Sequence, residues 1–296
     1  AEVNYGIKCL ANETFAEVRS DIIETVLYQR ALKNAQKAMK EGYPFSKSLI
    51  KTLHQQLLSF GRGATKSPGQ FKQEQNYLAD RNRKNILFVP ISPEKLEQGL
   101  DNLFDYINQK NMPILLKTAV AHLEFEALHP FCDGNGRIGR MLITLMLWQE
   151  KAISEPYFYI SGYFEEHKDE YSALMRQVSE NNDWTAWCAF FLQAIATQAI
   201  SNLNIAQSIG DLYEQMKPVF SDTLKSKWAM QVLDFVFTYP VFRGNQLNNK
   251  TDISQASANR FLRILHDKGI LMVKEESSGR RSALYSFEPM MKLVRA

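Results

Sequence analysis

No apolar run in the 296-residue chain approaches the roughly 18 residues of a membrane-spanning helix, and the most apolar stretch, Met141 to Trp148, is far shorter. Membrane spans are therefore not expected. The first residues, Ala1-Glu-Val-Asn-Tyr-Gly6, offer neither a basic start nor an apolar block, so no secretory leader is read there. Cysteine is scarce. Cys9, Cys132 and Cys188 are odd in number and widely spaced, which points away from a disulfide framework and from a zinc site; the expected setting is a reducing cytoplasm. An excess of one charge is lacking too, since 35 Lys and Arg against 32 Asp and Glu leave a net charge of +3 and a pI near 8.6. So mild a balance gives no whole-chain argument for nucleic acid, though it leaves a local basic face open. Repeats and low-complexity tracts are missing. What is present is ordinary for a folded chain, 45% hydrophobic and 23% charged, with length enough for two domains.

Most of the chain reads as helix. Asp21–Met39 carries an apolar face (Ile22, Val26, Leu27, Ala31, Leu32, Ala35) and stops before Gly42, and Lys47–Phe60 repeats the pattern. Between Gly61 and Pro93 the periodicity fails, and Asn85–Val89 reads as a short strand or hairpin arm. Helices are expected again at Glu94–Gln109, Pro113–Leu128 and about 165–179, and from Trp184 onward through a long helical connection. Met141–Glu150 is apolar almost all round, the mark of a helix buried on every side. The last eighty or so residues change rhythm: an amphipathic helix at Lys227–Phe237, a short polar helix or turn at Gly244–Thr251, a second amphipathic helix at Ser254–Lys268, then two strands around Ser277-Ser278-Gly279. Helix, turn, helix and hairpin is the order of a winged helix-turn-helix. The expected division is 1–205 and 206–296.

Residues 129–140 read His-Pro-Phe-Cys-Asp-Gly-Asn-Gly-Arg-Ile-Gly-Arg between two apolar helices. Gly134 and Gly136 flank Asn135 just before a helix begins, an arrangement that aims backbone N–H groups and a helix dipole at one anion. Arg137 and Arg140, three apart, supply charged forks for phosphate oxygens. Asp133 is an oxygen ligand beside that nest, placed for Mg²⁺, which binds through one or two carboxylates and substrate phosphates. His129 is a base for a proton near neutral pH. Together these residues point to phosphoryl or nucleotidyl transfer.

The segment resembles the Fic motif, H-P-F-x-[DE]-G-N-G-R-x-x-R, at all nine specified positions. Pro68-Gly69-Gln70-Phe71 is similar to the family's P-G-x-[FY] element, and Asn85–Pro90 to its substrate-positioning flap. The likeness covers roughly residues 20–200. It implies a mainly α protein, a helical Fic (fido) domain with a short β-hairpin flap, followed here by the winged helix-turn-helix. It also implies a Mg²⁺-dependent protein adenylyltransferase: His129 deprotonates a Ser, Thr or Tyr hydroxyl of a protein target, self-modification included, and the hydroxyl attacks the α-phosphate of ATP. Asp133 then holds Mg²⁺, Gly134, Asn135 and Gly136 cradle the phosphates, Arg137 and Arg140 hold the β- and γ-phosphates, and Phe131 anchors the loop. By position, Tyr163 and Tyr171 line the adenine pocket. Dimers are common in such proteins, so a homodimer is expected. Many relatives carry an inhibitory helix, [ST]-x-x-x-E-[GN], whose glutamate pairs with the second motif arginine, here Arg140. The nearest stretch, Ser20 to Thr25 around Glu24, ends in threonine and does not match.

Other readings compete. A calcium loop fails, because aligning Gly136 with the EF-hand glycine puts Phe131 and Leu142 where acidic ligands are required. His122, Glu126 and His129 have metal-ligand spacing but too few partners for zinc, so His122 is read as packed within a helix. Cys132 occupies a variable motif position. In the C-terminal part, Arg260 and Arg263 on the presumed recognition helix, with Arg280 and Arg281 in the wing, could contact DNA phosphates, diluted by Asp252, Asp267, Glu275 and Glu276. A DNA-binding regulator whose Fic domain senses nucleotide is the rival reading, and AMP removal by the same site stays open as a related chemistry.

Overall fold

The computed structural model of the chain describes residues 15–59, 64–79, 86–110, 112–279 and 281–295. The chain divides into two compact units, Ala1–Asn202 and Leu203–Ala296. In the first, helices α1 (Phe15–Lys40) and α2 (Lys47–Leu57) precede a loop that carries two short strands, β1 (Leu78–Ala79) and β2 (Ile86–Phe88). Helices α3 (Pro93–Asn108), α4 (Ile114–Leu128), α5 (Asn135–Gln149), α6 (Ser161–Glu166) and α7 (Lys168–Asn181) follow, and then the long α8 (Trp184–Leu224), of which residues 184–202 belong to this unit. β1 and β2 pair antiparallel, so the expected arm at Asn85–Val89 has a partner that two residues are too few to announce. The helix expected over 165–179 is broken at His167 into α6 and α7.

Two apolar clusters fill this unit, and α4 and α5 belong to both. One cluster gathers Leu53 and Leu57 of α2 and Leu100 and Phe104 of α3 against Ala121, Phe125 and Leu128 of α4 and Met141 and Leu145 of α5. The other packs Leu123, Ile143 and Leu147 against Phe164, Trp187 and Phe191. Helix α5 is therefore buried without a break from Met141 to Leu147, as its all-round apolar sequence predicts. Two polar groups trapped there find partners: Thr144 Oγ1 donates to the Phe158 carbonyl at 2.9 Å, and Trp187 Nε1 to that of Ala119 at 2.9 Å. Two apolar layers thus clamp the helix pair that carries the loop 129–134.

The second unit contains α9 (Ala229–Thr238), β3 (Val241–Arg243), α10 (Asn245–Asn249), α11 (Gln255–Asp267), β4 (Leu271–Glu275), β5 (Leu284–Phe287) and α12 (Glu288–Arg295). Its three-stranded antiparallel sheet has the order β3-β5-β4. Ser254 caps α11, its side chain accepting from the Ser257 N–H, and Gly269 in the left-handed region ends the turn after it. Val232, Phe242, Leu247, Phe261, Leu265 and Phe287 fill the core of this unit. The expected helices and hairpin are present; β3, three residues long after Pro240, has no alternation long enough to read.

Burial in α5 carries a measurable load. Leu142→Ala should cost about 2–5 kcal/mol through lost contacts and a residual cavity. Val26→Ala on α1, where the side chain is 56% exposed, should cost under about 0.5 kcal/mol. Urea unfolding followed by tryptophan fluorescence measures the difference.

Candidate active site

The last turn of α4 ends on His129, whose backbone is left-handed (φ 44°, ψ 60°) and whose N–H bonds to the Phe125 carbonyl. That conformation is disfavoured for a residue with a Cβ and persists only where its surroundings enforce it. Phe131 supplies one constraint. Its ring is wholly buried, lies flat on His54 at 3.8 Å between centroids, and touches Phe71. Asn135, 2% exposed, supplies another: its Oδ1 accepts from the Phe131 N–H at 2.9 Å and its Nδ2 donates to the Phe131 carbonyl at 2.7 Å. The Asn135 side chain therefore shapes the loop from within instead of facing a ligand. Gly134 at φ 80° turns the chain into α5, where helix geometry leaves the N–H groups of Asn135, Gly136 and Arg137 without backbone partners inside the helix.

Three residues outside the motif hold it, and the linear pattern gave no sign of them. His54 of α2 accepts from the Gly69 N–H through Nδ1 at 2.8 Å, so its Nε2 carries the proton and donates to the Asp133 carbonyl at 2.9 Å. Burial lowers its pKa and favours that neutral form. Lys72 and Asn76, in the loop after Gly69, bond to carbonyls of residues 128–131. The only available clue was the Pro68–Phe71 element upstream.

The charged groups are distributed unevenly. Arg137 Nη1 donates to Glu24 Oε2 of α1 at 3.0 Å, and its Nη2 lies 3.7 Å from Asp133 Oδ2. The glutamate nearest to the inhibitory pattern thus meets the first motif arginine. Arg140 Nη1 sits over Gly136, where an added Cβ would meet it at 3.0 Å. Asp133 is partly exposed, with Oδ1 accepting from the Gly134 N–H at 2.7 Å. A single accessible carboxylate beside free helix amides suits Mg²⁺ held jointly with phosphates. Among the described residues, no group of three or more His, Cys, Asp and Glu could hold a metal by itself.

Burial sets the proton affinities. It lowers His129 to about 4, the Lys72 ammonium acting in the same direction, so the imidazole is neutral at pH 7 and has a lone pair free to take a proton. His122 is lowered to about 3, again by burial with Arg140 assisting, and shares a 2.9 Å hydrogen bond through Nε2 with the Tyr171 hydroxyl. His122 is thus a packed helix residue. Glu126 is raised to about 7 by burial, with Arg140 pulling the other way. Both Glu126 Oε1 and the His122 ring press on Gly139, where a Cβ would meet them at 2.5 and 3.2 Å.

The remaining expected positions divide. Tyr171 packs among Phe164, Trp187 and Phe190, close enough to Glu126 and Arg140 to feel their charges. Tyr163 stacks on His167 at 4.1 Å and gives its N–H to Gln198. Both belong to the second apolar cluster. Cys132 is exposed. Arg260 and Arg263 are exposed on α11, whereas Arg281 pairs with Glu275 at 3.2 Å, and Glu275 also binds Arg243. Arg280 lies outside the described residues.

Glu126 makes stability depend on pH with a definite sign. Its pKa is about 7 folded against 4.5 for the ordinary group, so its contribution is present below about pH 4.5 and is lost as pH rises through 7. Glu126→Gln removes that titration. The decline in unfolding midpoint between about pH 5 and 8 should be steeper in the wild type than in the variant, as differential scanning calorimetry across this range measures.

Residues 44–147 match the model of the Fic/DOC family. A protein adenylyltransferase of Caenorhabditis briggsae is 29% identical over 111 residues, covering 36% of this chain and 20% of that protein. A probable protein adenylyltransferase of Aquifex aeolicus is 26% identical over 94 residues, 31% of this chain and 27% of the other. The matched stretch thus spans about a fifth to a quarter of the length of these relatives. The crystal structure of a Fic family protein from Desulfovibrio desulfuricans shares the fold, with a TM-score of 0.57 at 17% identity over 97% of this chain and 87% of the other. The matched residues 44–147 take in the loop 129–134 and the paired helices α4 and α5 around it, so over this segment the chain is similar to the Fic/DOC family.

Proposed function

We propose that the chain is a protein adenylyltransferase, which moves AMP from ATP to a Ser, Thr or Tyr hydroxyl of a protein. The observation that carries this reading is the half-buried His129 at one end of the short loop whose other end is the N-terminus of α5, with its amides and Arg137. His129 takes the hydroxyl proton as the oxygen bonds to the α-phosphorus, and the bond to the β-phosphate oxygen breaks with release of pyrophosphate. The amides of residues 135–137, Arg137 and Arg140 stabilise the charge that gathers on phosphate oxygens. Asp133 would hold Mg²⁺, which when bound neutralises phosphate charge. Tyr163 and Tyr171 are kept as candidates for the adenine side. The adenylyltransferase names of relatives support the chemistry over the matched segment only.

Glu24 competes with phosphate for Arg137 in this scheme. Breaking one charge-assisted bond of about 1.5–3 kcal/mol should favour nucleotide by about tenfold or more, so Glu24→Ala should raise transfer at low ATP.

The second unit we read as a winged helix-turn-helix, with α10 and α11 as the helix pair and β4–β5 as the wing. Exposed Arg260 and Arg263 favour a second reading, a DNA-binding regulator that senses nucleotide. Arg281, held by Glu275, is poorly placed to add to it. Loss of a low-salt gel shift in Arg260→Ala/Arg263→Ala would support DNA binding; no shift on any duplex in the wild type would remove it.

Incubation with Mg²⁺ and α-³²P-ATP, in parallel with γ-³²P-ATP, tests the main reading. Protein label is expected from the α-position alone, and should vanish in His129→Ala. The acid limb of the rate should lie near pH 4, where the solvent protonates His129 and removes the base, and not near 6.5. An acid limb at 6.5, or label from the γ-position, would contradict it.

A further inference from the structure

The loop that joins Gly69 to β1 has almost no regular structure, yet it makes an orderly set of bonds. Four consecutive carbonyls, those of Leu128, His129, Pro130 and Phe131, all accept from two of its residues. Lys72 Nζ donates to the Leu128 carbonyl at 3.1 Å and the Lys72 N–H to that of Pro130 at 2.8 Å. Asn76 Nδ2 donates to His129 at 3.0 Å and to Phe131 at 3.2 Å. The two side chains are joined to each other, Lys72 Nζ donating to Asn76 Oδ1 at 2.8 Å.

Lys72 is 4% exposed, and none of these partners is a carboxylate. Burying an ammonium among neutral acceptors is costly, and an apolar side chain would fill the space without that cost. What the ammonium adds is a strong donor at the C-terminal end of α4, where helix carbonyls lack partners and cations are favoured. The residue that follows this end is His129, held in a backbone conformation that its Cβ disfavours. Burial lowers Lys72 only to about 8, so it remains largely charged at neutral pH.

The other half of the loop has bonds of its own. His54 takes the Asp133 carbonyl, and Asn135 bonds both the N–H and the carbonyl of Phe131, sharing that carbonyl with Asn76. We propose that Lys72 and Asn76 are positioning residues for His129: by clamping the carbonyls of residues 128–131 they aim its imidazole at the incoming hydroxyl, while the phosphate-facing part of the loop keeps the bonds from His54 and Asn135. The assignment rests on His129 acting as general base.

The test compares Lys72→Met, Lys72→Arg and Asn76→Ala in the intact chain. Displacing a base by an ångström costs about 100-fold, so the methionine and alanine variants should lose about 10–100-fold in kcat. KM for ATP, and the Kd of a non-hydrolysable ATP analogue with Mg²⁺ by calorimetry, should stay within about threefold, because the phosphate half keeps its supports. Arginine, which restores a buried cation and donor, should recover most of kcat. Equal losses in kcat and nucleotide affinity would make the pair a general scaffold and overturn the proposal, as would unchanged kcat. If methionine at 72 prevents folding, Asn76→Ala and Lys72→Arg still decide. Should the wild type transfer no AMP to any target, the proposed activity fails, and amide hydrogen exchange judges the clamp without turnover. The His129 amide should then exchange about tenfold faster in Asn76→Ala, with α5 and the Phe131 amide, which is bonded to Asn135, unchanged; exchange at His129 within twofold of wild type would sink the clamp.

Discussion

The hydrogen bonds between the Asn135 side chain and the backbone of Phe131 turn a short linker into a fixed object. They are made where water cannot compete, so breaking either one would leave a buried polar group without a partner. Phe131 is thereby pinned under the loop with its ring on His54, and the chain between the two helices has few ways left to run. The left-handed Gly134 and the start of α5 come directly after that closure, and the left-handed His129 lies just before it. The helices themselves are held by apolar packing on two sides, which is why the loop can be rigid without being helical or extended.

Electrostatics then divide the neighbourhood into a wet side and a dry side. On the dry side, His122, Glu126 and Tyr171 are held neutral or close to it by burial, and Arg140 supplies the nearby charge. On the accessible side, Arg137 is balanced by Glu24 and Asp133. An anion arriving there meets a cation already occupied. Binding there would be an exchange of partners, so the affinity of any anion would report a difference between two contacts.

Much of this was legible in the linear sequence because the motif packs its chemistry into twelve contiguous residues. His129, Asp133, the glycines and both arginines could be named, and the run from Met141 to Leu147 announced a buried helix. The supports could not be named. His54, Lys72 and Asn76 sit 53 to 79 positions from the loop carbonyls they bind, and the Pro68–Phe71 element just before Lys72 marks the neighbourhood without naming the three. Strands of two and three residues carry no readable alternation, and the break at His167 follows no proline or glycine. The nearest match to an inhibitory pattern failed at its last letter, yet its glutamate reaches a motif arginine, because distance in space and not the letter decides an ion pair.

Gly139 illustrates how a missing atom can steer a site. The Glu126 carboxyl and the His122 ring of α4 occupy the space that a Cβ at this position of α5 would need. Position 139 then behaves as a fulcrum. Asn135 begins the helix four residues away, an arm of about 6 Å at 1.5 Å per residue. A methyl group inserted at the fulcrum would tilt that arm, and the amides at its tip would sweep sideways while every residue of the loop stayed chemically intact. Sensitivity at this glycine would therefore look like a binding defect although the position touches no ligand.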